Sequence, residues 1–203
     1  MPVDPRDPAT TRTLSRNRCF LYVAPCAYED QLKLGFSRDP LRRFQSLHRR
    51  WFEFFDVDRI ALVETEAVRD ARSLESRFKR EFAEFNATVP LTIAPEAGGH
   101  GEWYRGAQAG LDHALLSLEN EGYAMHAPAR DWLRDRLMQQ RELLYSWTEA
   151  MLTIDELEHR AGSTPAQDAV RDALDALRAF AIPFEESLPA GVLRWYVEGD
   201  GNR

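Results

Sequence analysis

Tyr22 closes the tripeptide Phe20-Leu21-Tyr22, and Lys33-Leu34-Gly35-Phe36-Ser37 begins eleven positions after it. Arg43, Glu75 and the tetrapeptide Gly101-Glu102-Trp103-Tyr104 follow in that order. Lys33, Arg38, Arg42, Arg43, Arg49 and Arg50 face only Asp39 within eighteen residues. A local basic patch of this kind can hold phosphates even on an acidic protein. Each feature also has an ordinary explanation when taken singly. An arginine-rich run can be a solvated helix face, Tyr22 a half-buried strand residue, and Gly35 the residue of a turn or bulge. Glu75 and Lys79 stand four apart in the order that favours a surface ion pair on a helix. Trp103 can anchor a core or offer a platform for stacking a base.

The surrounding pattern supplies elements to position these residues. Cys19 to Val23 and Leu32 to Phe36 are short apolar runs separated by turn-prone residues, and they predict a β-hairpin. Ser37-Arg38-Asp39-Pro40 is a helix start, with a cap at Ser37 or Asp39 and proline in the first turn. Leu41, Phe44, Leu47 and Trp51 continue at helical spacing. Residues 54–64 predict a third strand and residues 67–85 a second helix, with Glu75 beside the stripe of Leu74, Phe78 and Phe82. Asn86 to Gly99, with two prolines and two adjacent glycines, reads as a loop. This order gives a small α+β domain with a three-stranded, mainly antiparallel sheet, ending near Gly110. Beyond it the sequence reads as all-α. Leu133, Leu137, Leu144, Trp147, Met151 and Ile154 form a heptad-like stripe, either a coiled-coil seam or the core face of a bundle. Thr153 to Glu156 resembles a capping box, and Thr164-Pro165 starts a further helix.

The chain of 203 residues carries a net charge of −7, distributed unevenly. Residues 1–106 sum to +1 and residues 107–203 to −8, so the acidic C-terminal region could fold back on the basic patch. No apolar run approaches the roughly 20 residues needed to span a bilayer. The two cysteines, Cys19 and Cys26, are too few for a disulfide framework. These features predict a cytoplasmic protein in which residues 1–17 form a flexible leader, 18–110 the α+β domain and 111–203 an acidic helical region.

The motifs from Tyr22 to Tyr104, in their order and spacing, resemble the GIY-YIG nuclease superfamily. The similarity is to the branch found in phage and bacterial proteins and named after a meiotically up-regulated fungal gene. Its second half-motif reads K-I/L-G-x-S and its domain closes on G-E-W-F/Y. The resemblance runs from Arg18 to Gly110, about half the chain. It implies a metal-dependent endonuclease that hydrolyses phosphodiester bonds in DNA, using one Mg²⁺ or Mn²⁺ ion. Glu75 is the implied metal ligand, and Arg43 the guanidinium on the non-bridging oxygens. Tyr22 would position or deprotonate the attacking water, provided nearby cations lower its pKa from about 10. Lys33 would acidify Tyr22 or act as base itself. Ser37 touches phosphate or caps the helix, Arg38 and Arg42 hold the DNA backbone, and Gly35, Gly101, Glu102 and Trp103 complete the motifs. Two histidine positions depart from the pattern. Lys79 stands where the branch commonly has a histidine four residues after the metal glutamate, and His48 lies one position beyond another family histidine. Two other functions fit the sequence: a catalytically inactive nucleic-acid-binding module that keeps the fold and basic patch, and an assembly factor that pairs with itself or a protein partner through the C-terminal helices.

Overall fold

The computed structural model describes residues 18–158 and 163–200, so the expected leader at 1–17 lies outside the described residues. Among the described residues five strands form one sheet in the order β4-β2-β1-β3-β5, each antiparallel to its neighbour. They are β1 (Cys19–Pro25), β2 (Gln31–Ser37), β3 (Ala61–Thr65), β4 (Trp103–Arg105) and β5 (Met125–His126). The sequence predicts three strands; the structure adds two short edge strands. Three residues of β4 pair with Gln31 to Lys33, and two residues of β5 pair with Leu62 and Val63. The third strand is also shorter than expected. Of its first part, Phe54 closes the helical turn α2 (Trp51–Phe54), which follows α1 (Pro40–Leu47), and an isolated bridge at Phe55 and a turn at 57–59 lead into β3.

Side-chain alternation divides the sheet into two faces. Leu21, Val23, Leu32, Leu34 and Val63 point to one of them and pack with α3 (Val68–Glu81) and α4 (Gln108–Asn120) through Leu74, Phe78, Leu111, Leu115 and Leu118. Phe20, Tyr22, Ala24, Leu62 and Trp103 point to the other, where Leu41, Phe44 and Trp51 cover them. The expected boundary at residue 110 falls inside α4, and the chain beyond it supplies β5.

The C-terminal helices are α5 (Arg130–Arg141), α6 (Leu144–Met151), α7 (Ile154–Glu158), α8 (Pro165–Ala179) and α9 (Ala190–Asp200). The heptad-like stripe is therefore broken into separate helices, with Leu133, Leu137 and Leu144 buried and Ile154 exposed, which is bundle packing rather than a continuous seam. Thr164 and Gln167 form the reciprocal capping box that begins α8. These helices share the core of the Tyr22 face. The ring of Trp132 meets Phe20 at 5.1 Å, and Phe180 meets Trp51 at 5.6 Å.

Charge reinforces this docking. Arg49 Nε donates to Asp172 Oδ2 at 2.7 Å, while Arg50 Nη1 donates to Asp172 Oδ1 at 2.9 Å and Asp175 Oδ2 at 2.7 Å. The acidic region does fold back on the basic patch, but onto Arg49 and Arg50. Among the described residues no helix is long and apolar enough to cross a membrane.

Trp103 is fully buried and stacks on Phe55 at 6.4 Å with an interplanar angle of 8°. Trp103→Ala is expected to lower stability by about 3–5 kcal/mol, as for other large-to-small core truncations. Trp103→Phe costs less, because the indole Nε1 has no hydrogen-bond partner to lose. Urea unfolding of the two variants measures both effects.

Candidate active site

Tyr22 pairs with Gly35 and Ala24 with Lys33 across the β1–β2 hairpin, and Lys33 pairs in turn with Trp103. Directly opposed residues of an antiparallel pair share a face, so Tyr22 and Lys33 project to the same side. The phenol lies over Gly35, where a Cβ would sit 2.5 Å from Tyr22 Oη and 2.7 Å from its Cζ. Here the glycine permits a close approach of ring and backbone. Phe44 of α1 meets the Tyr22 ring edge-on at 5.2 Å, and the guanidinium charge of Arg43, its neighbour in the chain, acts on the hydroxyl.

The remaining charges form an alternating chain. Lys33 Nζ, fully buried, donates to Glu102 Oε2 at 2.8 Å. Lys79 Nζ donates to Glu102 Oε1 at 2.9 Å and stands 3.3 Å from Glu75 Oε1. Glu75 is 6 % exposed. The site therefore unites Tyr22, Lys33, Arg43, Glu75 and Glu102, which the sequence singles out, with Lys79. Glu102 was expected only as part of a closing motif; in the fold it bridges two ammonium groups.

Burial sets the proton affinities. It pushes Tyr22 up to about 12, with Arg43 pulling the other way and not prevailing. The condition for Tyr22 to deprotonate water, a pKa lowered by nearby cations, is not met in this arrangement, and Tyr22 keeps its proton near neutral pH. Burial lowers Lys33 to about 8 against the opposing bond from Glu102. Glu75 is raised, first by burial and then by the charge of Glu102. Burial also works to raise Glu102, but its bonds from Lys33 and Lys79 outweigh that and hold it below the ordinary carboxylate value.

Arg43 Nη1 donates to Ala97 O at 2.6 Å, its Nη2 approaches Gly98 O at 3.5 Å, and Lys33 Nζ donates to Gly99 O at 2.5 Å. These carbonyls carry no signal in the sequence beyond the adjacent glycines.

The other expected residues divide between structural and exposed positions. Ser37 Oγ accepts the Asp39 N–H at 3.0 Å, and Asp39 caps α1 through the Arg42 N–H at 3.1 Å. Arg38 and Arg42 are exposed on the same helix start. Gly101 accepts a bond from Asn86 Nδ2 at 2.9 Å, and a Cβ there would meet nothing within 4 Å. His48 stacks on Phe54 at 4.6 Å, and its Nδ1 accepts the Arg50 N–H at 3.2 Å. His100 is exposed beside Pro95 O at 2.8 Å. An apolar cleft of about 620 Å³ lies elsewhere, lined by Trp51, Leu137, Leu144 and Trp147, and includes none of the clustered charges.

No curated protein and no solved structure matches the chain. The strands, the charge cluster and α4 all lie in or beside one stretch that matches a protein-family model. Residues 19–119 match the T5orf172 domain, which points to a DNA-related role, in cleavage or in binding.

Proposed function

We propose that the protein is a metal-dependent endonuclease of the GIY-YIG kind that hydrolyses phosphodiester bonds in DNA. The observation that carries this reading is the convergence of Tyr22, Lys33, Arg43 and Glu75 on one site from two strands and two helices. Phenol, amine, guanidinium and carboxylate together meet what the reaction requires.

The residues present fit one hard divalent cation. Glu75 is a buried carboxylate whose environment favours a neighbouring positive charge, and Lys79 contacts it through Oε1. No three His, Cys, Asp or Glu side chains converge among the described residues, so Glu75 would hold the ion together with waters and phosphate oxygens, a shell that suits Mg²⁺ or Mn²⁺. When bound, the ion supplies Lewis acidity toward the phosphate and stabilises charge on the departing oxygen.

Arg43 places a permanent charge on the non-bridging oxygens. Tyr22, protonated, orients the attacking water through its hydroxyl. Lys33 is the group suited to take the proton, because desolvation brings its pKa close to the working range. Exposed Arg38 and Arg42 contact the DNA backbone, which gives affinity without sequence information.

A second reading, a DNA-binding module without catalysis, draws on the ion pair of Lys79 with Glu75. The pH dependence of plasmid nicking separates the two. Neutral Lys33 becomes more abundant as pH rises toward about 8, so the nicking rate should climb about tenfold per pH unit below that value and level off above it. A nearby divalent cation moves the rise to lower pH without changing its direction. A rate that falls through pH 8 would make Lys33 an ammonium donor, and absence of nicking at every pH would favour the binding module.

A further inference from the structure

The segment between Asn86 and Trp103 is anchored at both ends and at its middle. Ala87 N donates to Trp103 O at 2.8 Å, Asn86 Nδ2 donates to Gly101 O at 2.9 Å and Trp103 O at 3.1 Å, and Ile93 is buried in the core of the Tyr22 face. Between these anchors the backbone turns a corner at Gly98 and Gly99, both in the left-handed region with φ of 67° and 69°. Gly98 combines that φ with ψ of 178°, a conformation essentially restricted to glycine.

This corner is driven into the charge cluster. A Cβ on Gly99 would lie 2.4 Å from Glu102 Oε2, 2.6 Å from Lys33 Nζ and 3.2 Å from Arg43 Nη2. The carbonyls of Ala97, Gly98 and Gly99 face the Arg43 guanidinium and the Lys33 amine. A carbonyl oxygen and a non-bridging phosphate oxygen are alike as acceptors, and a buried lysine cannot be left without one. The donors that would receive substrate are thus satisfied by the chain's own backbone.

We infer that residues 90–101 form an autoinhibitory strap whose Ala97–Gly99 carbonyls occupy the seats of the substrate phosphate oxygens and the attacking water. DNA enters only when the corner lifts away, with Ile93 and Asn86 retaining its ends. This inference rests on the reading of Arg43 as the group on the phosphate oxygens and Lys33 as the group that faces the attacking water. Closure lowers apparent DNA affinity by the fraction of molecules whose strap is open.

Gly98→Ala tests the inference without adding a contact, because a Cβ at Gly98 meets nothing within 4 Å. The substitution penalises only the closed backbone conformation. Ile93→Ala provides a second route, loosening the strap at its buried anchor. Binding of a short DNA duplex to the full chain is measured in EDTA, which prevents cleavage, and amide exchange over residues 95–101 reports on opening. Both variants should exchange faster across the corner and bind DNA about fivefold more tightly or better. Faster exchange with unchanged or weaker DNA binding in both variants overturns the strap and leaves the substrate site standing. Absence of DNA binding by the wild type and both variants overturns the strap and the reading beneath it together.

Discussion

Glu75→Ala should abolish metal-dependent nicking, lowering the rate about 10³-fold or more, while the folded state survives at least as well as in the wild type. The rate effect follows from losing the carboxylate proposed to hold the metal ion, since a Lewis-acid contribution of several kcal/mol corresponds to that factor. The stability effect has the opposite sign to most core truncations. Glu75 is nearly buried and its proton affinity is raised by burial and by Glu102. A carboxyl whose folded pKa lies above its unfolded value loses stability as pH rises through that interval, so above it the ionised side chain is a burden on the fold. Lys79 keeps its bond to Glu102 at 2.9 Å when Glu75 is removed, so no ammonium is stranded. Glu75→Gln, which preserves volume, makes the comparison sharper. Thermal melts read beside nicking rates show whether loss of activity has been mistaken for loss of fold.

The second large effect is expected at a residue with no functional group. Gly35→Ala places a methyl group 2.5 Å from Tyr22 Oη and 2.7 Å from Cζ. Tyr22 cannot yield easily, since it is fully buried and packed against Phe44. Overpacking of this kind costs about 1–3 kcal/mol, and displacing the hydroxyl by about 1 Å is enough to reduce nicking about 10²-fold. A double-mutant cycle identifies the cause. In a Tyr22→Ala background the added Gly35→Ala should have little further effect on either stability or rate. If Gly35→Ala remains as damaging there as in the wild type, its effect is on the strand itself and not on Tyr22.

The parts of this fold that could be read from sequence are those governed by neighbours along the chain. Asp39-Pro40 and Thr164-Pro165 begin helices where their capping chemistry says they should. The hairpin of β1 and β2 follows from two apolar runs, and its register delivers Tyr22 and Lys33 to one face. That these edge segments pair as strands was hidden for a physical reason. Two or three residues are too few to show alternation, and β4 and β5 exist because β2 and β3 offer free edges to them. Similarly, the stripe from Leu133 to Ile154 gave no sign of its interruption between Arg141 and Leu144, where neither glycine nor proline stands.

The site divides along the same line. Side chains of distinctive type, Tyr22, Lys33, Arg43 and Glu75, stand out in the sequence. Their surroundings could not. The pairing of Glu102 with both Lys33 and Lys79 joins positions far apart in the chain, and the carbonyls on Arg43 and Lys33 belong to the backbone, which every residue shares. The basic patch was legible as charge but not as geometry: Arg49 and Arg50 are committed to Asp172 and Asp175, and Arg38 and Arg42 remain exposed. The height of the Tyr22 pKa was missed because burial acts against the neighbouring cation, and burial is a property of the assembled core.

The most direct measurement is incubation of supercoiled plasmid with the wild-type protein in Mg²⁺, in Mn²⁺ and in EDTA. The account predicts open-circular product with either metal and none with the chelator. Plasmid that stays supercoiled under all three conditions, or is nicked equally with and without metal, contradicts it.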